Sequence, residues 1–431
     1  MSGLRTLIRV DIHIDQEWAV GAAPDLWFRP DEGRVAEEER AVRLPVQRDP
    51  AGRYQLPATS LIGGLRQHLG VDAVRWLGAD VGGDTIPSQL RCLAATLHPA
   101  APDDGALEAR TLTTTRIDPS RRAAHAGALR REEVLPPALV TWWLEWDHRD
   151  GDLRLPGLMK KLRTWRPIIG RRRAAGRGRA HVVAVWHRTV DLTTGDGLTW
   201  WLGERPALRW TSRKGLPSPQ WTREEGTSPD AGLPVLTWTF WVEDALHLGG
   251  AGKDGNVAFT GGKVPSTSWR GVFRHRVAHI VRVSTDDADE KVVERRVEET
   301  LARLFGSARE RGSSDAAGHR GQLRFGDSTV QGARQRRTHV AIDRISGGTV
   351  VGYAEDPKDD RGGLLFDVEY FGPGATLKLT IYDDSGRGIS ADDRALLQAV
   401  VRDLDDGIIG MGGMTSRGYG TLTLQPTGGS R

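Results

Sequence analysis

Apolar and polar residues alternate along residues 7–14 and again along residues 235–242, as they do in strands that bury one face. Apolar residues recur at helical spacing along residues 286–305, and shorter helical patterns cover residues 153–163 and 391–404. The pattern predicts strands and helices in both halves of the chain, and therefore an α+β fold.

The sequence repeats itself once. The segment Leu-Pro-Ala-Thr-Ser-Leu-Ile-Gly-Gly-Leu-Arg at 56–66 returns as Val-Pro-Ser-Thr-Ser-Trp-Arg-Gly-Val-Phe-Arg at 264–274, with the proline, the hydroxyl pair, a glycine and the arginine in register. Three further matches follow in the same order along the chain: 18–21 with 246–249, 115–118 with 340–343, and 168–178 with 408–420. Four ordered matches predict two copies of one domain.

The two copies set the predicted domain boundaries, at residues 1–192 and 234–431. Residues 193–233 between them are rich in Gly, Pro, Ser and Trp and have no clear periodicity, which is typical of a linker. Each copy is interpreted as strand, Gly-rich turn, helix, strands, helix, Gly-rich turn and strand. This βαββαβ order predicts a ferredoxin-like fold, the architecture of RRM-type RNA binders.

The chain has 431 residues, enough for two domains that each bury a core of their own. Hydrophobic residues make up 38% and charged residues 27%, a balance typical of globular proteins. No apolar run reaches the ~18 residues of a membrane helix, and the first residues do not resemble a cleavable signal. The single cysteine, Cys92, agrees with a reducing compartment. We therefore expect a cytoplasmic protein with no membrane partner.

The basic residues are biased towards arginine, which supplies 52 of the 60, although the net charge is only +4. The planar guanidinium forms paired contacts with phosphate, so the bias fits a nucleic-acid partner, and it fits high-GC codon usage equally well. Cys-x-x-Cys and Gly-x-x-x-x-Gly-Lys motifs are absent from the sequence, so structural zinc and nucleotide hydrolysis have little support.

The ordered motifs resemble the RAMP superfamily of CRISPR-associated proteins. One is the Pro-x-[Ser/Thr]-Ser-x-x-Gly-x-x-Arg element at 57–66 and 265–274. Another is a Gly-rich loop that ends in Gly-x-Gly, here named the first terminal loop (170–178) and the second terminal loop (410–420). The second copy matches best, since it also has Leu-Arg-Phe-Gly-Asp at 323–327, whereas the first copy lacks the Phe-Gly-Asp. More narrowly, the chain looks like a tandem fusion of two backbone subunits of a type III effector complex.

The resemblance implies two ferredoxin-like RAMP domains in tandem with thumb-type hairpin insertions. It also implies guide (CRISPR) RNA, target RNA and other type III effector subunits as partners. Hydroxyl and free N–H groups at the helix starts, with arginines nearby and in the terminal loops, suit phosphate contact. The alternative is that the glycines only make tight turns and the arginines form a solvated surface. The predicted RNA-binding residues on these elements are Thr59, Ser60, Arg66, Arg171, Arg172, Arg173, Arg177, Ser268, Arg270, Arg274 and Arg417.

Two polar, Gly-rich stretches, 118–133 and 343–365, are long for simple connections. In backbone subunits of this family the corresponding region is an extended hairpin, the thumb, that wedges between guide and target bases. A plain surface loop is the alternative. The residues that the resemblance implies for this contact are Arg121, Arg122, His125 and Arg344.

The resemblance further implies a catalytic acid in the Gly-rich loop before the Pro-x-[Ser/Thr]-Ser element. In the second copy this loop is 249–257, and Asp254 is its only acid. Its carboxylate is expected to hold a divalent metal, Mg²⁺ or Mn²⁺, near a target phosphate or to help activate the 2′-hydroxyl. An ordinary Asp-Gly turn is the alternative. In the first copy the candidate is Asp25, with Asp31 and Glu39 also available.

The predicted function is a guide-RNA-binding backbone subunit of a type III CRISPR effector complex that cleaves bound target RNA as a metal-dependent endoribonuclease. One alternative is a noncatalytic scaffold or capping subunit of the same complex. The other is a nuclease that processes repeat RNA, in which His275 or His13 would act as the acid or base.

Overall fold

The structure is a computed structural model of the chain, which folds as two compact units. The first unit comprises Met1–Arg173 and Arg177–Ala231, and the second comprises Ala174–Gly176 and Gly232–Arg431. The residues that the structure describes are 3–21, 42–81, 84–100, 105–114, 117–118, 123–124, 130–148, 155–173, 176–203, 220–226, 236–254, 257–286, 289–307, 321–340, 342, 345, 347–348, 365–384 and 388–425.

Strands and helices of the first unit are interspersed along the chain. Its strands are β1 (Leu4–Ile14), β2 (Val42–Leu44), β3 (Ala79–Val81), β4 (Asp84–Ile86), β5 (Leu90–Pro99), β6 (Arg110–Thr114), β7 (Ile117–Asp118), β8 (Ala123–Ala124), β9 (Arg130–Val134), β10 (Ala138–Asp147), β11 (Ala180–Asp191) and β12 (Thr222–Glu225). Its helices are α1 (Ala58–Leu69), α2 (Ala73–Leu77), α3 (Leu155–Arg163) and α4 (Gly195–Gly203), with a 3₁₀ turn at Gly70–Asp72.

The main sheet of the first unit is antiparallel and has the strand order β12–β11–β1–β10–β5. Along the chain β1, α1, β5, β10, α3 and β11 give the order strand, helix, strand, strand, helix, strand. In the sheet these four strands have the order β11–β1–β10–β5, which places the fourth strand of the motif beside the first, followed by the third and the second. This order is compatible with a ferredoxin-like fold. Helix α1 buries Leu61, Leu65 and Leu69 at helical spacing, and they join the core that contains Ile8 and Val10 of β1.

The segment 193–233 contributes to the first unit rather than forming a plain linker, in the part that the structure describes. It contains α4 and β12, and β12 extends the main sheet by pairing with β11. Trp200, Trp201 and Trp221 pack against Leu7 and Trp143. Leu7 alternates with the core residues of β1, so the tryptophans cover the opposite face of the sheet. The short elements explain why the sequence showed no periodicity here.

The second unit has a similar succession of elements. Its strands are β13 (Leu236–Val242), β14 (Gly249–Asp254), β15 (Val257–Thr260), β16 (Lys263–Val264), β17 (Leu323–Phe325), β18 (Ser328–Gln331), β19 (Arg334–Val340), β20 (Leu365–Phe371), β21 (Thr376–Asp383) and β22 (Leu422–Leu424). Its helices are α5 (Ser266–Ser284), α6 (Glu290–Phe305) and α7 (Ala391–Asp405), with a 3₁₀ turn at Thr415–Arg417.

The main sheet of the second unit has the order β16–β18–β21–β13–β22, and β17 also pairs with β21. With β13, α5, β18, β21, α7 and β22 taken in chain order, this is the arrangement seen in the first unit. Helix α5 buries Trp269, Phe273 and Val277 four residues apart. Among the helices that the structure describes, none has the length and apolar character needed to cross a membrane.

Both α1 and α5 begin directly after a proline in extended conformation, Pro57 and Pro265. The proline itself supplies no side-chain cap. Ser60 and Ser268 lie inside the first turn, where their N–H groups each donate to the proline carbonyl at 2.9 Å.

Each unit also has a smaller sheet that the βαββαβ pattern does not contain. In the first unit β2 runs parallel to β9, and β9 pairs with β6; in the second, β15 runs parallel to β20, and β20 pairs with β19. The loop predicted at 249–257 is partly strand, since β14 and β15 form a hairpin. The predicted thumbs connect β6 to β9 and β19 to β20, and most of 119–129 and 341–364 lies outside the described residues.

Candidate nucleic-acid interface

Strand β19 is an arginine-rich strand at the edge of the smaller sheet of the second unit. Its sequence, Arg-Gln-Arg-Arg-Thr-His-Val, is exposed or half-buried at every position. Because side chains of a strand alternate between its two faces, Arg334 and Arg336 share one face, and Arg337 and His339 share the other. The strand therefore presents basic side chains on both faces.

On one face, the basic side chains pack against aromatic rings of β20 and of the second terminal loop. The guanidinium of Arg337 lies 4.9 Å from the ring centre of Tyr370 and 5.5 Å from that of Tyr419. The imidazole of His339 stacks on Phe366 with ring centres 5.4 Å apart, and its Nε2 lies 2.9 Å from the Tyr419 hydroxyl. These separations are typical of cation–π and stacking contacts.

The charge at this surface is positive at neutral pH. Hydrogen bonding to Asp244 raises the pKa of Arg337. Burial, and then the charges of Arg417 and Arg337, lower the pKa of His339, so its imidazole is neutral at pH 7. The guanidinium of Arg417 lies 5.6 Å from the ring centre of Phe366. Fixed cations beside a neutral stacked ring suit contact with both phosphates and bases.

On the other face of β19, two exposed arginines lie near phenylalanine rings. The guanidinium of Arg334 is 5.8 Å from the ring centre of Phe371, and that of Arg336 is 5.8 Å from Phe259. Arg334 also lies 3.8 Å from the carboxylate of Glu369. Arg334 is therefore partly compensated by a carboxylate.

The second terminal loop is shaped by a close approach of two chain segments. The N–H of Met411 donates to the Gly420 carbonyl at 2.9 Å. Gly412 has φ of 90°, and a Cβ there would lie 2.4 Å from the carbonyl oxygen of His247. Glycine is required at this position because any side chain would strain the backbone and collide with that carbonyl.

The start of α5, where free N–H groups were expected, already holds a carboxylate of the chain. Asp327 accepts the N–H of Ser266 and the ammonium of Lys263, both at 2.7 Å. Burial raises the pKa of Asp327, but these hydrogen bonds lower it by more, so the net pKa lies below its usual range. The Phe-Gly-Asp motif thus supplies a helix cap, and its negative charge opposes a second anion there.

The predicted residues of α5 differ in how far they are already bonded. Arg270 donates to the carbonyl of Phe305 at 2.5 Å. The buried Nη1 of Arg274 has no hydrogen-bond partner among the described residues. Burial lowers the pKa of both guanidinium groups. The buried Nε of Arg270 also has no partner among the described residues, so each of these two arginines keeps one unpaired donor.

In the first unit, arginines of the first terminal loop surround a buried carboxylate. Glu132, which is 1% exposed, lies 2.6 Å from Nε of Arg172, 3.2 Å from Nη1 of Arg177 and 3.4 Å from Nε of Arg171. Arg173 is exposed and donates to a backbone carbonyl of the loop. Three of these four predicted RNA contacts therefore neutralise an internal charge.

The predicted residues of α1 lie near its start and along its length. Thr59 and Ser60 occupy the first turn. Arg66 donates to the carbonyls of Leu77 at 2.7 Å and Gly78 at 2.9 Å. These carbonyls lie at the end of α2, so Arg66 caps that helix.

The two terminal loops share one backbone pattern. Ile169 donates its N–H to Gly178, and Met411 donates to Gly420 in the same way. The sequence match aligned Ile169 with Ile409, whereas the hydrogen bond aligns Ile169 with Met411. The match is therefore displaced by two residues at the start of the loop. The match at the end of the loop holds.

The side chains at the end of the two loops differ in chemistry. Arg177 and Tyr419 each precede the final glycine of their loop. The parallel strand pair and the neighbouring isolated bridges of each smaller sheet show which residues of the two units correspond. In this alignment Glu132 of β9 corresponds to Val368 of β20. The first unit thus has an ion pair where the second has a cluster of apolar and aromatic side chains.

Several predicted site residues cannot be placed in this surface. Asp254 is the last residue of β14 and pairs with Val257 in the hairpin, but its side chain lies outside the described part of the structure. The predicted residues that lie outside the described ranges altogether are Asp25, Arg121, Arg122, His125 and Arg344.

Sequence reasoning missed Arg334, Arg336, Arg337 and His339. A signal was present, because the basic residues of 334–340 come directly before a predicted thumb. Their aromatic partners on β20 could not be assigned without the pairing of the two strands.

Residues 242–423 match the model of the RAMP superfamily. The matched range includes β19, β20 and the second terminal loop, and it supports the resemblance of the second unit to the RAMP superfamily. No curated protein matches the chain.

Proposed function

Since residues 242–423 match the RAMP superfamily, we propose that the chain is an RNA-binding subunit of a CRISPR effector complex. In this proposal the second unit contacts guide RNA through β19, β20 and the second terminal loop. The observation that carries the proposal is the set of exposed basic side chains seated on aromatic rings at this surface. Arginines at such a surface bind phosphates and stack on bases.

We further propose a type III complex and a tandem fusion of two backbone subunits. The partners are then guide (CRISPR) RNA, target RNA and the other effector subunits. The same strand order in the two main sheets and the same hydrogen bond in the two terminal loops support the tandem arrangement. The type III assignment rests on the resemblance of the motifs.

Cleavage of target RNA at Asp254, with Mg²⁺ or Mn²⁺ as cofactor, is the finer part of the proposal. Its support is the resemblance, together with the place of Asp254 at the end of β14.

The test of RNA binding uses the full chain with the double substitution Arg336→Ala and Arg417→Ala. The matched control is Arg282→Ala with Arg402→Ala, which removes two exposed arginines from α5 and α7. We expect the first pair to weaken guide-RNA binding about tenfold and to reduce the slope of log K against log salt by about 1.4, as two lost phosphate contacts require. Filter binding at several salt concentrations measures both.

The control pair is expected to lower the affinity much less, because only its long-range charge contributes. Equal losses in the two double variants would show that net charge, and not this surface, governs binding. Unchanged binding in the first pair would exclude the surface from the RNA path.

A further inference from the structure

Three metal-ligating side chains meet at one end of the main sheet of the first unit. His13 and His181 lie opposite each other on the paired strands β1 and β11, and Asp15 directly follows β1. Nδ1 of His13 lies 2.7 Å from Oδ1 of Asp15, and Nδ1 of His181 lies 2.9 Å from the same oxygen. The two imidazole centres are 5.5 Å apart.

The cluster is open to solvent, and its carboxylate is charged. The side chains of His13, Asp15 and His181 are 30%, 29% and 15% exposed. Burial raises the pKa of Asp15, but hydrogen bonds from the two histidines lower it by more, so the net pKa lies below its usual range. An ionised carboxylate therefore lies between two imidazoles that an ion can reach.

We propose that His13, Asp15 and His181 bind one divalent transition-metal ion of the Zn²⁺ class. Imidazole and carboxylate together are the ligands that such ions take, whereas Mg²⁺ prefers oxygen ligands alone. One ligand atom from each residue lies within 4.8 Å of the other two.

The geometry needs little adjustment to accept the ion. In a tetrahedral Zn²⁺ site neighbouring ligand atoms are about 3.3 Å apart, so the two Nδ1–Oδ1 separations would open by about half an ångström. In the metal-bound site each imidazole would carry its proton on Nε2, in place of the Nδ1 proton that it donates to Asp15 without the ion, and would present the Nδ1 lone pair to the ion. Water completes the coordination.

The corresponding positions of the second unit lack the two imidazoles. Trp241 pairs with Thr423 there, as His13 pairs with His181, and Glu243 takes the place of Asp15. A carboxylate alone is a weak ligand set for Zn²⁺. We therefore expect one ion per chain.

The ion would join two strands where the first terminal loop returns to the main sheet. His181 lies three residues after the end of that loop, and the N–H of Asp15 donates to the Arg179 carbonyl at 2.7 Å. A metal bridge between β1 and β11 would hold the base of the loop, since binding free energy adds to folding free energy.

The experiment titrates Zn²⁺ into the metal-free full chain, without an affinity tag, by isothermal titration calorimetry. We expect one bound Zn²⁺ per chain, and binding more than about tenfold weaker in Asp15→Asn and in His181→Ala. Asp15→Asn keeps the shape of the side chain and removes its charge. Mg²⁺ should give no saturable binding, and Co²⁺ should give the visible bands of a low-coordinate site in the parent but not in Asp15→Asn.

The matched control is His187→Ala, on the same strand, where the histidine lies 3.5 Å from Glu224. It should bind Zn²⁺ as the parent does. Circular dichroism and unfolding midpoints without metal establish that each variant is folded. Absence of saturable Zn²⁺ binding in the parent, equal affinity in Asp15→Asn, or an equal loss in His187→Ala would overturn the proposal and leave the cluster as hydrogen-bonded side chains only.

Discussion

Glutamine in place of Glu132 keeps the shape of the side chain and removes the charge that Arg171, Arg172 and Arg177 share. Because Glu132 is 1% exposed, the three guanidinium groups would then surround a neutral amide inside the first unit. Their mutual repulsion would no longer be offset. We expect the first unit to lose stability while its fold is retained.

The expected size of the loss follows from burial. Removing one partner of a fully buried ion pair costs about 3–5 kcal/mol. The three arginine side chains are 13–28% exposed, so water compensates part of the lost attraction. We therefore expect the free energy of unfolding to fall by about 2–3 kcal/mol, which lowers the urea midpoint by about 1 M.

The assay is urea unfolding at pH 7 followed by tryptophan fluorescence. This signal reports mainly on the first unit, because 12 of the 15 tryptophans precede residue 232. Glu225→Gln makes the same chemical change at a side chain that is 67% exposed. Arg173→Ala removes a loop arginine that is bonded to a backbone carbonyl. Both controls should lie within about 0.5 kcal/mol of the parent.

Coincident unfolding curves for Glu132→Gln and Glu225→Gln would refute the reasoning. A loss in Arg173→Ala as large as that in Glu132→Gln would do so as well, since the effect would then belong to the loop and not to the buried carboxylate.

Three other predictions concern the second unit and the proposed cleavage. Asp327→Ala should lower the free energy of unfolding by about 1–2 kcal/mol at pH 7. Because the pKa of Asp327 is lowered in the folded state, this contribution is complete above about pH 4 and is lost as the pH falls below it, so urea midpoints of parent and variant should converge in acid. In thermal unfolding, Gly412→Ala should cost more than about 2 kcal/mol, whereas Gly418→Ala, with φ of 87° and no atom within 4 Å of a new Cβ, should cost about 1 kcal/mol. Asp254→Ala, assembled with guide and partner subunits, should bind target RNA but lose a cleavage product on a gel, as should the parent with a chelator. An unchanged product pattern would exclude Asp254 as the catalytic acid, and a remaining product that disappears with Asp25→Ala would assign a second site to the first unit.

The main elements could be predicted because their signals are local. The alternation along 7–14 is part of β1, and the helical patterns at 153–163 and 391–404 correspond to α3 and α7 within two residues. Pro57 and Pro265 mark the starts of α1 and α5. Such patterns determine which face of an element is buried, whatever that element later packs against.

The contacts of the candidate site could not be predicted, because they depend on pairing between distant segments. Asp327 lies 61 residues from Ser266, whose N–H it accepts. In the sequence, Arg172 and Arg177 are basic residues of a glycine loop, equally suited to phosphate and to an internal carboxylate. Only the position of β9 brings Glu132 between them.

Glu132 pairs with Arg177 in the first unit, whereas Val368 and Tyr419 occupy the corresponding positions in the second unit. This difference affects what recombination between the two halves of the gene would produce. Recombination between repeated segments tends to make them alike. Transfer of the second terminal loop alone would leave Glu132 buried without its arginines, and the reverse transfer would bury a guanidinium beside Val368. Either product would be destabilised by several kcal/mol. In the proposed tandem arrangement, the loops could therefore be exchanged only together with their strands.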